Sequence, residues 1–214
     1  RRDLNVVCGE STRLATSFFS RYVSESIKYP SPERRPDEFI QFLKHYLREN
    51  EIDVLIPVAH HATKVIAEHQ KALSQYTHLP VPDYEVFLKG WDKAVTLDAA
   101  RRADVPIPRT VQPSSLSEAI ELVKGFDFPV VIKPSIGYGS IGVRFVEDPD
   151  VFESVYSDIH ADYPNPLIQE RIPRHGSGLG AGLFFNRDGD VSAQFAYRRI
   201  REYPLSGGPS TLRE

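Results

Sequence analysis

The stretch Phe128-Pro-Val-Val-Ile-Lys133-Pro-Ser-Ile-Gly137-Tyr-Gly139-Ser-Ile-Gly142-Val143 ends an apolar β-run on a lysine and opens a glycine-rich loop four residues later. Gly137, Gly139 and Gly142 match the spacing G-x-G-x-x-G, which is weak by itself, so the flanks decide its meaning. A dinucleotide fingerprint needs a helix directly after the loop, because the helix N-terminus receives the pyrophosphate. Here the loop runs into Val143-Arg-Phe-Val146, an alternating β-run. A protein-kinase loop is strand–loop–strand, but its lysine lies on a later strand. Lys133 comes first. The order fits a β-hairpin flap whose loop N–H groups cover phosphates beside a fixed positive charge. The bland alternative is a glycine-rich hairpin with a solvated lysine.

The rest of the chain sets limits around this hairpin. At 214 residues it is one large domain or two small ones, and 41% hydrophobic with 26% charged residues is an ordinary globular composition. A net charge of −3 gives no basic field to favour nucleic acid. The lone Cys8 excludes an internal disulfide framework and reads as a small hydrophobe in a strand. No apolar run approaches the roughly 18–20 residues that cross a bilayer, and residues 1–4 have no apolar signal region, so a cytoplasmic location is expected. The sequence contains no methionine and ends on Ser-Gly-Gly-Pro-Ser-Thr-Leu-Arg-Glu214, from which a trimmed chain is expected.

Outward from the hairpin, periodicity predicts an α/β chain. Residues 4–8 read as a short buried strand and residues 10–36 as irregular. A helix capped by Asp37 carries the stripe Phe39, Phe42, Leu43, Tyr46 and Leu47 and closes at Asn50. Residues 53–58 read as a second buried strand and 62–75 as a helix, an alternation that implies parallel pairing. A helix is expected over 92–103. Ser115-Leu-Ser-Glu118 reads as a capping box opening a helix to Lys124. A helix from Asp148-Pro149 to about His160, a strand over 167–172, and a hairpin of 181–185 with 191–197 turning on Asn186-Arg-Asp-Gly189 complete the pattern. Residues 104–165 form a small α+β unit suited to act as a lid, since closure excludes water from phosphoryl transfer.

Five segments then occur in order: Trp91-Asp-Lys93, Asp104-Val-Pro-Ile-Pro-Arg-Thr110, Phe128-Pro-Val-Val-Ile-Lys-Pro134 with its loop, Leu167-Ile-Gln-Glu-Arg-Ile-Pro173, and Arg198-Arg-Ile-Arg-Glu202. Together they resemble the ATP-grasp superfamily, in its carbamoyl-phosphate-synthase-like and carboxylate–amine ligase branch. The resemblance implies a pre-ATP-grasp parallel-sheet α/β domain over residues 1–88, an ATP-grasp lid over 89–165, and the start of the second ATP-grasp subdomain over 166–214. It implies an enzyme that uses ATP and Mg2+ to make an acyl phosphate from a small-molecule carboxylate, which an amine or ammonia attacks. A non-catalytic nucleotide-binding or regulatory module on the same fold is the alternative.

The same resemblance implies residue roles. Lys93 and Lys133 would hold ATP phosphates, and Gly137, Gly139, Ser140 and Gly142 would form the phosphate flap. Gln169, Glu170, Arg171 and Ile172 would read the adenine edge through their backbone, with a plain core strand as the alternative. Arg199 and Arg201 would lie near the transferred phosphoryl group or the carboxylate, because arginine forks bind oxyanions bidentately; a solvated charge run is the alternative. Two departures stand out. The turn after the adenine strand is Pro173-Arg-His-Gly176, where the family often has Pro-Gly-Asp-Gly, which puts the ribose contact in doubt. The family's magnesium ligands, an acid and then Glu-x-Asn, are expected beyond Glu214. The pair His60-His61 follows an expected strand end, but no histidine spacing typical of a metal site occurs, and no metal ligands are assigned within the chain. Neither nucleic acid nor membrane is expected as a partner.

Overall fold

The structure is a computed structural model that describes residues 4–173, 176, 178–186, 188–203 and 210–214. It divides into two compact units, Arg1–Trp91 and Asp92–Glu214.

In the first unit β1 (Val7–Glu10) lies parallel to β2 (Glu25–Lys28), in the register Val7↔Glu25 to Glu10↔Lys28. β2 falls inside the stretch expected to be irregular; with three polar residues in Glu-Ser-Ile-Lys it has no apolar run to announce it. Helix α1 (Pro36–Glu49) starts two residues earlier than a cap at Asp37 would place it, with Arg35 at the N-cap and Asp37 inside the first turn. Pro36 supplies a helical φ at the first position, and Asp37 and Glu38 sit in the first turn, where the helix dipole favours negative charge. Asn50 is its C-cap. The stripe buries Phe39, Ile40, Leu43 and Leu47, whereas Phe42 and Tyr46 are half-exposed and stack on each other at 6.1 Å.

Residues 53–58 correct the sequence expectation. Only Val54 makes a ladder contact, a parallel bridge to His78, and Val54, Ile56 and Val58 are exposed. A short β-branched run reads as buried only when strands flank both edges, and Pro57 removes one donor from this one. The helix expected over 62–75 is two pieces, α2 (His60–Glu68) and α3 (Gln70–Leu73). His69 interrupts them with φ −106° and ψ 18°, and its ring Nδ1 lies 3.0 Å from the Val65 carbonyl oxygen. α4 (Tyr84–Trp91) is a further helix that was not expected from the sequence. Leu43, Leu47, Val65, Ile66, Leu73 and Leu79 form the core of this unit with Phe39 and Ile40.

The second unit opens with α5 (Lys93–Arg102), capped by the Asp92 carboxylate, which accepts from the Ala94 N–H at 2.8 Å. Then come β3 (Thr110–Val111), α6 (Leu116–Val123), β4 (Val130–Lys133), β5 (Arg144–Val146), α7 (Phe152–Asp162) and β6 (Leu167–Glu170). The Ser115 hydroxyl accepts from the Glu118 N–H at 3.2 Å, as the capping-box reading requires. The reciprocal contact is displaced by one residue, because the Glu118 carboxylate accepts from the Ser114 N–H and hydroxyl instead. Those two bonds hold the Glu118 pKa low.

The four strands form one antiparallel sheet in the order β3-β6-β4-β5. β6 begins just after the boundary expected at 165/166, yet it is the strand that joins β3 to β4. One sheet face buries Val130, Ile132, Val146 and Ile168 against Ala119 and Val123 of α6 and Phe152, Tyr156 and Ile159 of α7. Tyr156 is fully buried, and its hydroxyl donates to the Pro113 carbonyl at 3.3 Å. Burial, with Glu118 nearby, pushes its pKa to about 12. On the opposite face Leu167 and Gln169 are buried, while Val131, Lys133 and Thr110 are half-buried and Phe145 is exposed.

A second sheet, in the order β7-β8-β9, consists of β7 (Leu179–Phe185), β8 (Val191–Glu202) and β9 (Ser210–Arg213). β7 and β8 pair from Leu179↔Arg198 to Phe185↔Val191, the expected hairpin with longer arms. Gly180 and Gly182 lie opposite Tyr197 and Phe195; a Cβ on either glycine would meet the facing ring at 2.3 and 2.2 Å. The two aromatic rings therefore lie flat across a glycine floor.

Candidate functional site

Strand register determines which side chains share the face of the four-stranded sheet opposite α6 and α7. Val131 pairs with Gln169 and Phe145, Lys133 pairs with Leu167, and Thr110 pairs with Gln169. Side chains alternate along a strand, so these residues point away from the helix-covered core that holds Val130, Ile132 and Ile168. The face thus combines apolar Val131 and Phe145 with polar Lys133, Gln169 and Thr110. Val131 and Phe145 were not picked out from the sequence; the alternation in Val-Val-Ile-Lys was legible, but the side of the sheet that faces away from the helices was not.

Lys133 is half-buried, and its ammonium donates to Gln169 Oε1 at 2.7 Å. Lys93, at the first position of α5, donates to the carbonyls of Ser135 at 3.2 Å and Gly137 at 2.8 Å. Its backbone N–H also donates to the Ser135 carbonyl, at 3.0 Å. Asp92 completes the junction, since its carboxylate accepts from the Ser135 hydroxyl as well as from the Ala94 N–H. Asp92 stood in the quoted motif without a role. The structure makes it the residue that fixes the α5 N-terminus against the start of the glycine loop.

Both lysines of this site are held below the ordinary lysine pKa. Burial lowers the Lys133 pKa, and the positive charge of Lys93 lowers it further. Burial also lowers the Lys93 pKa, while the Asp92 carboxylate opposes that shift. The two ammonium groups, with the neutral Gln169 amide oxygen on Lys133 and the Asp92 carboxylate beside Lys93, concentrate positive charge near the glycine loop, where a polyphosphate would be favoured.

The loop between β4 and β5 has the backbone its glycines allow. Gly139 and Gly142 have φ of 63° and 73°, and Ser140 has φ 64°. Gly142 is the constrained position, because a Cβ there would lie 2.7 Å from Pro134 Cγ and 2.8 Å from Tyr163 Cε2. Ile136, Tyr138 and Ile141 are exposed at the loop surface.

The strand assigned to adenine divides in two. Gln169 and Glu170 are within β6, and the Glu170 N–H donates to the Arg109 carbonyl at 2.9 Å while its carboxylate accepts from the Arg109 N–H at 2.9 Å. Their side chains are committed to the protein. Arg171 and Ile172 lie just past the last strand pair, Val130↔Glu170. Arg171 sits over the Phe145 ring at 5.0 Å and pairs with Glu147. Arg199 and Arg201 are exposed on β8, in the other sheet. The structure therefore brings Lys93, Lys133, the glycine loop and Gln169 together, and places the two arginines on a different element. The turn Pro173–Gly176 contains Arg174 and His175, which lie outside the described residues, as do residues 204–209 of the terminal segment and Arg187 of the hairpin turn.

His60 stacks on Trp91 at 4.0 Å, and His61 lies 3.7 Å from a Glu33 carboxylate oxygen. Among the described residues no group of three or more His, Cys, Asp and Glu side chains could hold a metal ion.

Comparison with known proteins bears on the fold. Residues 92–164, which contain both lysines and the loop, match the family described as carbamoyl-phosphate synthase L chain, ATP binding domain. The chain superposes on biotin carboxylase from Campylobacter jejuni, solved as a β,γ-ATP complex, with a TM-score of 0.72 at 17% identity over 92% of this chain and 45% of that one. This is an ATP-grasp fold. A second ATP-grasp likeness is to N5-carboxyaminoimidazole ribonucleotide synthetase in its ADP complex, with a TM-score of 0.69 and 11% identity over 93% of this chain and 48% of that one. In sequence, the chain is 25% identical over 187 residues to D-aspartate ligase of Enterococcus faecium (strain Aus0004), covering 79% of this chain and 44% of the ligase. The chain thus spans less than half the length of these relatives. The superfamily resemblance drawn from the five motifs holds, and so does the α/β fold class.

Proposed function

We propose that this chain is the ATP-binding part of a ligase that activates a carboxylate as an acyl phosphate for attack by an amine or ammonia. The observation that carries the reading is the convergence of Lys93, Lys133 and the glycine loop beside an apolar sheet face. In this reading Lys133 and Lys93 neutralise phosphate charge, loop N–H groups cover the phosphates, and the adenine ring packs on Val131 and Phe145. The backbone of Arg171 and Ile172, just beyond the strand, reads the base edge. Arg199 and Arg201 receive the carboxylate or the transferred phosphoryl group. Residues 89–165 act as the lid over the nucleotide, residues 166–214 begin the second ATP-grasp subdomain, and residues 1–88 form the preceding α/β domain.

The chemistry asks little covalent work of the protein. Phosphoryl transfer to a carboxylate is accelerated by positioning and charge neutralisation. Mg2+, when bound, would supply further neutralisation of the phosphate charge. The described residues contain no acidic cluster that fits it. Among the described residues no helix is long and apolar enough to cross a membrane. We place the protein in the cytoplasm, acting on small molecules.

The test is chemical. Acyl phosphates react with hydroxylamine to give hydroxamates, so the intact protein, given ATP, the matching carboxylate and hydroxylamine, should release ADP and accumulate a hydroxamate. Nucleotide binding with no carboxylate-dependent ADP release across carboxylate panels would favour a non-catalytic binding module.

A further inference from the structure

Lys133 does not stand alone on the sheet. Its ammonium donates to Gln169 Oε1 at 2.7 Å, Gln169 Nε2 donates to Thr110 Oγ1 at 2.7 Å, and Thr110 Oγ1 donates to the Pro108 carbonyl at 2.8 Å. The direction of every bond in this chain is forced. An ammonium has only donors, so the amide must present its oxygen to Lys133 and its NH2 group to Thr110. The Thr110 hydroxyl must then accept from Gln169, and its single proton goes to Pro108.

The frame around the chain is rigid. Gln169 is 9% exposed, so its amide has little water to turn to. The Thr110 backbone is held twice, by strand pairing with Gln169 and by an Arg101 guanidinium that donates to its carbonyl at 3.1 Å. Three strands thus contribute one residue each, in the order β3, β6, β4, and the last residue is the candidate phosphate ligand.

The acceptor for Lys133 is also neutral. A carboxylate there would form an ion pair and compete with phosphate for the ammonium. An amide orients the lysine and leaves its charge for the ligand.

We infer that Thr110, acting through the Gln169 amide, is a positioning residue that holds the Lys133 ammonium in its phosphate-binding pose. The inference rests on the reading of Lys133 as a phosphate ligand. Removing the Thr110 hydroxyl leaves Gln169 Nε2 without its acceptor, the amide loses its fixed orientation, and Lys133 samples other rotamers. The strand itself is spared in Thr110→Val, because valine is β-branched like threonine.

The experiment measures ADP affinity of the 214-residue chain by titration calorimetry for wild type, Thr110→Val, Thr110→Ala, Thr110→Ser, Gln169→Glu and Lys133→Ala, with thermal unfolding alongside. Loss of one such hydrogen bond corresponds to about a 3- to 10-fold weakening. Thr110→Val and Thr110→Ala should show it, Thr110→Ser should restore wild-type affinity, and Gln169→Glu should weaken binding although it keeps an acceptor for Lys133. A purely structural role for Thr110 would lower the melting temperature and would not track the hydroxyl. If Lys133→Ala weakens ADP binding while both non-hydroxyl variants at Thr110 match wild type, the positioning role is overturned and the nucleotide site stands. If Lys133→Ala itself binds ADP as wild type does, both readings fall.

Discussion

The Lys93 ammonium donates to the Gly137 carbonyl at 2.8 Å, joining residues 44 positions apart. With its second bond to the Ser135 carbonyl, Lys93 fastens the base of the glycine loop while its charge stays available to a ligand. Loop order and phosphate affinity should therefore depend on the same side chain. Lys93→Met keeps the apolar stem and removes both donors. Amide hydrogen exchange over residues 137–142 should speed up by about 10- to 100-fold, since a hydrogen bond from a charged group contributes about 1.5–3 kcal/mol. ADP affinity should fall in the same variant. Unchanged exchange would show that the loop holds itself.

Within the loop, glycines 139 and 142 should respond differently to alanine. Gly139 has φ 63° with nothing within 4 Å of a new Cβ, so Gly139→Ala should cost only the left-handed penalty of about 1–2 kcal/mol. Gly142 carries the same backbone penalty and also faces Pro134 and Tyr163 at under 3 Å. Gly142→Ala should cost about 2–4 kcal/mol, the overpacking adding to the backbone term. Urea denaturation of the two variants checks this; equal losses would mean that Pro134 and Tyr163 yield freely.

The lysine pKa shifts set a pH window. Lys133 and Lys93 are both lowered from 10.5, by burial first, and then by Lys93 in the case of Lys133. Between the lowered values and 10.5 the unfolded chain holds more protons than the folded one, so these groups make stability rise with pH in that window. Below it both lysines are charged in both states, and the folded protein carries the full cost of burying them. Nucleotide binding has the opposite sign. Phosphate needs the charged form, so ADP affinity should be flat at neutral pH and fall as pH enters the window. Calorimetry near its onset, in buffers of different ionisation enthalpy, should show proton uptake on binding. Affinity that stays flat to pH 10.5 would contradict a phosphate role for both lysines.

The core should be as intolerant as its packing implies. Ile132 is fully buried on the face of β4 opposite Lys133. Ile132→Ala should cost about 2–5 kcal/mol in urea denaturation. A loss below 1 kcal/mol would place the core elsewhere.

How much of this was legible in the sequence depends on where the signal is stored. Lys133 before the glycines and an alternating run after them defined a β-hairpin with a lysine on its entering strand, and β4, the loop and β5 are that hairpin. The α1 stripe and the Asp-Gly turn were local signals and appear at those positions. Residues 53–58 failed because burial of a strand depends on its neighbours, and Val54 has only the bridge to His78. β2 was missed because a polar strand leaves no periodic trace. At the site, the lysines and glycines announced themselves by type and order. Asp92, Thr110, Val131 and Phe145 did not, because their roles come from register across β3, β6, β4 and β5, which one sequence does not display.

The most direct test of the nucleotide site is the affinity of a non-hydrolysable ATP analogue for Lys133→Ala. Lys133 projects from a rigid strand, with its ammonium between the Gln169 amide and the field of Lys93. Its loss should weaken binding by at least about 10-fold, the scale of a charged hydrogen bond to phosphate, while the melting temperature stays near that of wild type. A folded Lys133→Ala variant with unchanged affinity would contradict the assignment of this face as the ATP site.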